Sequence, residues 1–73
     1  MGVLNNGTAT VYNIELIYIG VTSKFFIHGQ HYIMEFWEAF NQCTDETGNK
    51  HLWTIDEIFK QFVTPVVWGK MRK

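Results

Sequence analysis

This 73-residue chain is poor in the residues that covalent chemistry and export depend on. It has one cysteine (Cys43), one proline (Pro65), one serine (Ser23) and one arginine (Arg72). A single cysteine excludes an internal disulfide, and small secreted domains usually rely on disulfides. An intracellular protein is therefore expected, and specifically a cytoplasmic one. The opening MGVLNNGTAT lacks both the basic region and the long apolar stretch of a secretory signal. Asn6 stands where an N-myristoylation motif requires Ser or Thr. No apolar run approaches the roughly 20 residues that span a bilayer, so no membrane partner is expected. A lone serine offers no nucleophile, base and orienter set, and neither a P-loop nor a dinucleotide glycine pattern occurs. The expectation is a protein without enzymatic activity, catalytic residues, metal or cofactor.

Charge is also sparse. Only 18% of residues are charged and the net charge is −1. The distribution is uneven. Residues 15–60 hold all seven acids against Lys24, Lys50 and Lys60, while Lys70, Arg72 and Lys73 close the chain. A mildly acidic body argues against broad phosphate binding, so nucleic acid is expected at most indirectly.

Apolar and aromatic residues are plentiful: 47% of the chain is hydrophobic, with six Phe, three Tyr and three Trp. A domain of this size buries only about 60% of the surface its unfolded chain exposes. Large aromatics, each worth roughly 1.5–3 kcal/mol when fully buried, compensate for that limit. The densest stretch is Gly29–Phe40, GQHYIMEFWEAF. As a helix over 32–42, it gathers Tyr32, Ile33, Phe36, Trp37 and Phe40 on one side, with Glu35, Glu38, Asn41 and Gln42 on the other. As a strand, it alternates less cleanly, but its aromatic content suits a sheet and no cap residue precedes it. Periodicity alone favours the helix by a small margin.

Taken in order, residues 1–10 are uncharged and turn-rich and read as a flexible arm. Val11–Ile19 reads as a strand, with Tyr12, Ile14, Leu16 and Tyr18 on one face. Gly20 ends it. Thr22-Ser23-Lys24 is a loop and Phe25-Phe26-Ile27 a short apolar piece. Thr44–Asn49 is a turn with Gly48-Asn49 available for positive φ, and Lys50–Trp53 is a short strand. Thr54 and Glu57 fit a capping box opening a short helix near 55–62, whose apolar face is Ile55, Ile58, Phe59 and Phe62. Val63–Trp68 reads as a last strand, with Pro65 confining it to an edge. Residues 69–73 are a basic tail. The domain proper is residues 11–68.

A strand ending in Tyr18-Ile19-Gly20, a variable loop, then Gly29 and Tyr32 opening a second strand resembles small phage-encoded SH3-like barrels. The turn at Asp45–Asn49, the helical piece at Thr54–Phe62 and the closing Val63–Trp68 follow the same order. Met34 stands where that family usually has valine. The resemblance covers roughly residues 12–68 and rests on structural motifs only. It implies a mainly β fold, a small antiparallel SH3-like barrel with one short helix; the alternative is an α+β fold with a helix at 32–42. In the barrel, Tyr32, Met34 and Phe36 point inward beside Leu16 and Tyr18, while Ile17, Ile33 and Trp37 take the opposite face.

His28, His31, Cys43 and His51 are zinc-compatible residues, but their spacing matches no standard site. On a regular strand, His28 and His31 face opposite ways. Asp45/Glu46 and Asp56/Glu57 suit a turn and a helix cap. A domain this small has little room for a pocket of a few hundred Å³. Function is therefore expected on the outside. Trp37, Trp53 and Trp68 are candidate interface anchors. Val3, Leu4, Asn5 and Asn6 of the arm and Lys70 and Arg72 of the tail complete the candidate partner-binding set. Length and general character are similar to the small regulators of Xanthomonas phages that bind host RNA polymerase, inhibit initiation and aid antitermination. By analogy of role, this implies a host protein as partner, with RNA polymerase subunits first, in the host cytoplasm, and a monomer when free. The alternatives are a nucleic-acid-binding small barrel and a phage structural or assembly component.

Overall fold

The computed structural model describes residues 11–72. Five antiparallel strands form one sheet: β1 (Tyr12–Tyr18), β2 (His31–Phe36), β3 (Asn41–Thr44), β4 (Lys50–Trp53) and β5 (Phe62–Val63). Two short helices follow β4 and β5, namely α1 (Ile55–Gln61) and α2 (Pro65–Met71). The strand order is β4-β3-β2-β1-β5. No ladder among the described residues joins β4 to β5, so the sheet is open rather than closed into a barrel.

The Gly29–Phe40 run resolves as β2, and the helix at 32–42 is not formed. Its helical periodicity is overruled by pairing on both sides. Leu16 lies opposite Tyr32 and Ile14 opposite Met34 on one flank, and Met34 lies opposite Cys43 on the other. That register places Tyr32 (7% exposed) and Met34 (0%) on the core face, as the alternating reading predicts, and leaves Ile33 outward. Gly29 takes φ +88°, turning the chain into β2, and the Trp68 ring lies against it.

The main core cluster collects on one face of the sheet, while Ile17 (1% exposed) is buried on the other. Leu16, Tyr18, Tyr32, Met34 and Cys43 come from the strands, Phe26 from the β1–β2 loop, Ile58 from α1 and Phe62 from β5. Phe26 is the hub, its ring within 6.3 Å of the rings of Tyr18, Tyr32, His51, Trp53 and Phe62. The loop is fixed by polar contacts as well. The Tyr32 hydroxyl accepts the Ile27 N–H at 2.8 Å and donates to Glu46 at 2.6 Å. Burial, reinforced by the Glu46 bond, raises the Tyr32 pKa to about 12.

Helix α1 forms where the capping box predicts it. Thr54 Oγ1 accepts the Glu57 N–H at 3.1 Å, and Glu57 accepts the Thr54 N–H at 2.9 Å. Replacing Thr54 with Ala removes one acceptor from the exposed first turn and is expected to cost about 1 kcal/mol. A urea midpoint within error of the parent would refute this. Of the strand expected over Val63–Trp68 only Val63 is formed, in the two-residue β5, and from Pro65 onward the segment is helix. Thr64 caps a second helix by accepting the Val67 N–H at 3.3 Å, and Pro65 sits in its first turn, where a missing N–H costs nothing. Pro65 is therefore a helix starter rather than an edge-strand residue. Gly69–Met71 continue α2 and Arg72 caps it.

Candidate functional site

The row Tyr12, Ile14, Leu16, Tyr18 lies on one face of one strand, yet its burial changes sharply along it. Tyr18 and Leu16 are 8% and 7% exposed, whereas Ile14 and Tyr12 are 46% and 64% exposed. The β1–β2 loop and α1 cover the first half of the core face. Over the second half the sheet and the helices leave a groove of about 460 Å³. Ile14 and Leu16 of β1 and Phe36 of β2 line it from the sheet. Ile55, Ile58 and Phe59 of α1 line it from one helix, and Val67 of α2 from the other. Phe62, Val63 and Thr64 complete it. Thr64 contributes the one hydroxyl of this lining, and that oxygen already accepts the Val67 N–H.

A chain with little room to enclose a pocket instead leaves an open groove of that size on its surface. Among the described residues, the sheet is wider than the cover that one loop and two seven-residue helices provide. The lining carries no ionisable group, so its chemistry is that of apolar contact. Ile55 is 49% exposed and Phe59 78%, which leaves large side chains in water that a small domain would gain from burying.

None of the described residues chosen from sequence lines this groove. Trp37 stacks on Phe40 at the β2–β3 turn (centroids 5.7 Å apart), and its indole N–H donates to Glu35 at 3.1 Å. Trp53 packs at the core edge on Phe26 and Phe62. Its buried indole N–H has no hydrogen-bond partner among the described residues. Trp68 lies on α2, with the His28 ring 5.6 Å away and the Arg72 guanidinium over it. The three tryptophans thus keep separate aromatic neighbours and form no common patch. Lys70 and Arg72 are exposed at the end of α2. Val3, Leu4, Asn5 and Asn6 lie outside the described residues.

The zinc-compatible residues are engaged separately. His31 pairs with Glu15 on the outer sheet face, and His51 with Asp45 at the β3–β4 turn. The His28 ring contacts the Gly20 carbonyl. Cys43 is fully buried, and that burial pushes its thiol up to about 11. Among the described residues no group of three or more His, Cys, Asp and Glu side chains is arranged to hold a metal ion.

Two carboxylates are strongly held. Burial alone would raise the Asp45 pKa. The Thr47 hydroxyl (2.6 Å), the Asn49 N–H (3.0 Å), His51 and the Thr47 N–H (2.7 Å) outweigh it and hold the group at about 2. Glu35 is likewise lowered to about 2, chiefly by the Gln42 amide at 2.8 Å, then by Trp37 and Lys50. Both act structurally. Asp45 closes the β3–β4 turn and Glu35 ties β2 to β3 and β4.

The groove was only half legible beforehand. Its two contributing stripes, Tyr12/Ile14/Leu16 and Ile55/Ile58/Phe59/Phe62, are visible as apolar periodicities. What the pattern does not contain is how much of each stripe its neighbours cover. No helix among the described residues is long and apolar enough to cross a membrane. No family model, curated protein or solved structure matches the chain.

Proposed function

We propose that this chain is a non-enzymatic, phage-type protein-binding module that acts in the host cytoplasm, with the groove as its docking surface. The observation that carries the reading is the groove itself: an uncharged hollow of about 460 Å³ whose rim leaves Ile14, Ile55 and Phe59 in water. Such a surface suits an apolar anchor from a partner, since aromatic and aliphatic side chains seated in desolvated pockets dominate protein interfaces. Bacterial RNA polymerase is the proposed partner, with inhibition of initiation and modulation of termination as the consequence. The partner is taken from an analogy of role with small phage-encoded regulators of similar length and character; the order strand, polar loop, strand, hairpin, short helix is compatible with the SH3-like resemblance, although the sheet is open.

The test is direct titration of the labelled protein with purified bacterial core RNA polymerase and with holoenzyme. Saturable binding is expected, together with loss of promoter-dependent initiation. Ile14→Glu places a charge at the groove and is expected to weaken binding by at least about tenfold. Absence of binding to either form of the enzyme removes the polymerase reading. Undiminished binding by the folded Ile14→Glu variant removes the groove from it.

A further inference from the structure

The rim of the groove carries its own plug. Phe59 both lines the hollow and is 78% exposed, so a hole and a projecting ring belong to one patch. A patch that holds a knob beside a hole is self-complementary under a two-fold rotation, which is what an isologous contact needs. We propose that in the free protein the groove is closed by a second copy of this chain, with Phe59 of each copy seated in the groove of the other. This differs from the free monomer expected from sequence. It uses the surface assigned above to a partner but does not depend on who that partner is.

The area agrees with this occupant. Tyr12, Ile14, Ile55, Phe59 and Val67 are 64%, 46%, 49%, 78% and 42% exposed. For side chains of their size these fractions amount to about 500 Å² on each copy. With all of this area covered, Tyr12 beside the groove included, a pair buries at most about 1,000 Å², the lower bound for a specific interface and below the standard size. A weak, concentration-dependent dimer follows rather than an obligate one. Charge agrees as well. At a two-fold axis like residues meet like, so charge near the centre repels, and the lining contains none. On α1 the charged residues Asp56, Glu57 and Lys60 alternate with the lining residues Ile55, Ile58 and Phe59 and are not among them. The functional consequence is competition: a partner that enters the groove must first displace the second copy.

Sedimentation equilibrium of the full chain, from about 1 µM to about 1 mM, tests the proposal. A reversible monomer–dimer equilibrium is expected. Phe59→Asp is expected to raise the dissociation constant by at least about tenfold, because each dimer loses two anchors. Val67→Asp serves as a second groove variant, and both are checked for folding by circular dichroism. Leu52→Asp, on the opposite sheet face and 70% exposed in the parent, is expected to leave the equilibrium unchanged. A chain without residues 1–10 is also expected to dimerise as the parent does. A monomer at every concentration overturns the proposal. So does a dimer indifferent to both groove variants. A parent that stays monomeric and dimerises only when residues 1–10 are removed identifies the chain's own first segment as the occupant, which also overturns it. None of these results depends on RNA polymerase binding, so either reading can fail alone.

Discussion

Phe26→Ala is expected to leave about half or more of the protein unfolded at 25 °C. The Phe26 side chain is 3% exposed and its ring meets those of Tyr18, Tyr32, His51, Trp53 and Phe62. Removing a buried phenyl group costs about 3–5 kcal/mol, the lost transfer energy plus the cavity left behind. A single core of this size supplies roughly 3–5 kcal/mol of net stability. The two numbers are equal, so the substitution consumes the whole margin. The cavity has little chance to collapse, because its walls are aromatic rings held by separate strands. Phe26 is also the link between the β1–β2 loop and the sheet, so its loss detaches the loop that covers half the core face. Near-ultraviolet circular dichroism reads the outcome: the aromatic signal of the parent is expected to fall by about half or more. A variant that keeps this signal and a urea midpoint near the parent's shows that the core is centred elsewhere. Phe59→Ala is the matched contrast. The same residue type is 78% exposed there, and the free chain is expected to lose little stability.

The second large effect is on acid stability. Asp45 titrates at about 2 in the folded protein against an ordinary 3.8. A folded pKa below the unfolded one means that the unfolded chain binds the proton first as pH falls. The stabilisation by Asp45 is therefore complete above about pH 4 and is lost as pH descends toward about 2. Glu35, lowered from 4.5 to about 2, adds to the same window from the sheet side. Asp45 matters more because its side chain is wholly covered, whereas Glu35 and Lys50 are partly solvated. Asp45→Ala is expected to destabilise the protein strongly at pH 7. It leaves the N–H groups of Thr47 and Asn49 and the ring of His51 without their acceptor. The turn it breaks is also the one that meets the β1–β2 loop, where the Glu46 N–H donates to the Phe25 carbonyl at 2.9 Å. Urea unfolding at a series of pH values separates this from a general loss of folding. The gap between parent and variant is expected to narrow as pH falls from about 4 to about 2. A constant gap shows that the Asp45 charge contributes nothing.

Together these two positions describe how so short a chain stays folded. Phe26 supplies apolar contact in the middle of the core. Asp45 supplies polar closure at its edge, and Phe25, Phe26 and His51 join the two by ring contacts. The region that lacks both kinds of cover is the groove end, where Tyr12, Ile14 and Phe59 remain exposed. Buried core and exposed apolar groove are thus segregated along the same strand.

Local signals alone determined several parts of this protein. Thr54 and Glu57 announce α1 because both partners of a capping box lie within one helical turn. Tyr12 to Leu16 alternates and the whole segment is rich in β-branched and aromatic residues, which marks a strand, and Gly48 takes φ +92° because the β3–β4 turn requires it. Two decisions needed the tertiary structure. Residues 31–36 carry a pattern compatible with helix and with strand. They became β2 because Leu16 and Ile14 on one side and Cys43 on the other supply partners distant in sequence. Residues 65–71 became a helix because β5 stops after Val63, leaving Thr64 to cap and Pro65 to start a new element. The groove belongs to the same category. Apolar periodicity specifies which face of each element turns inward, but not how far its neighbours extend over that face. That coverage is a property of packing between elements, and here it ends partway along β1.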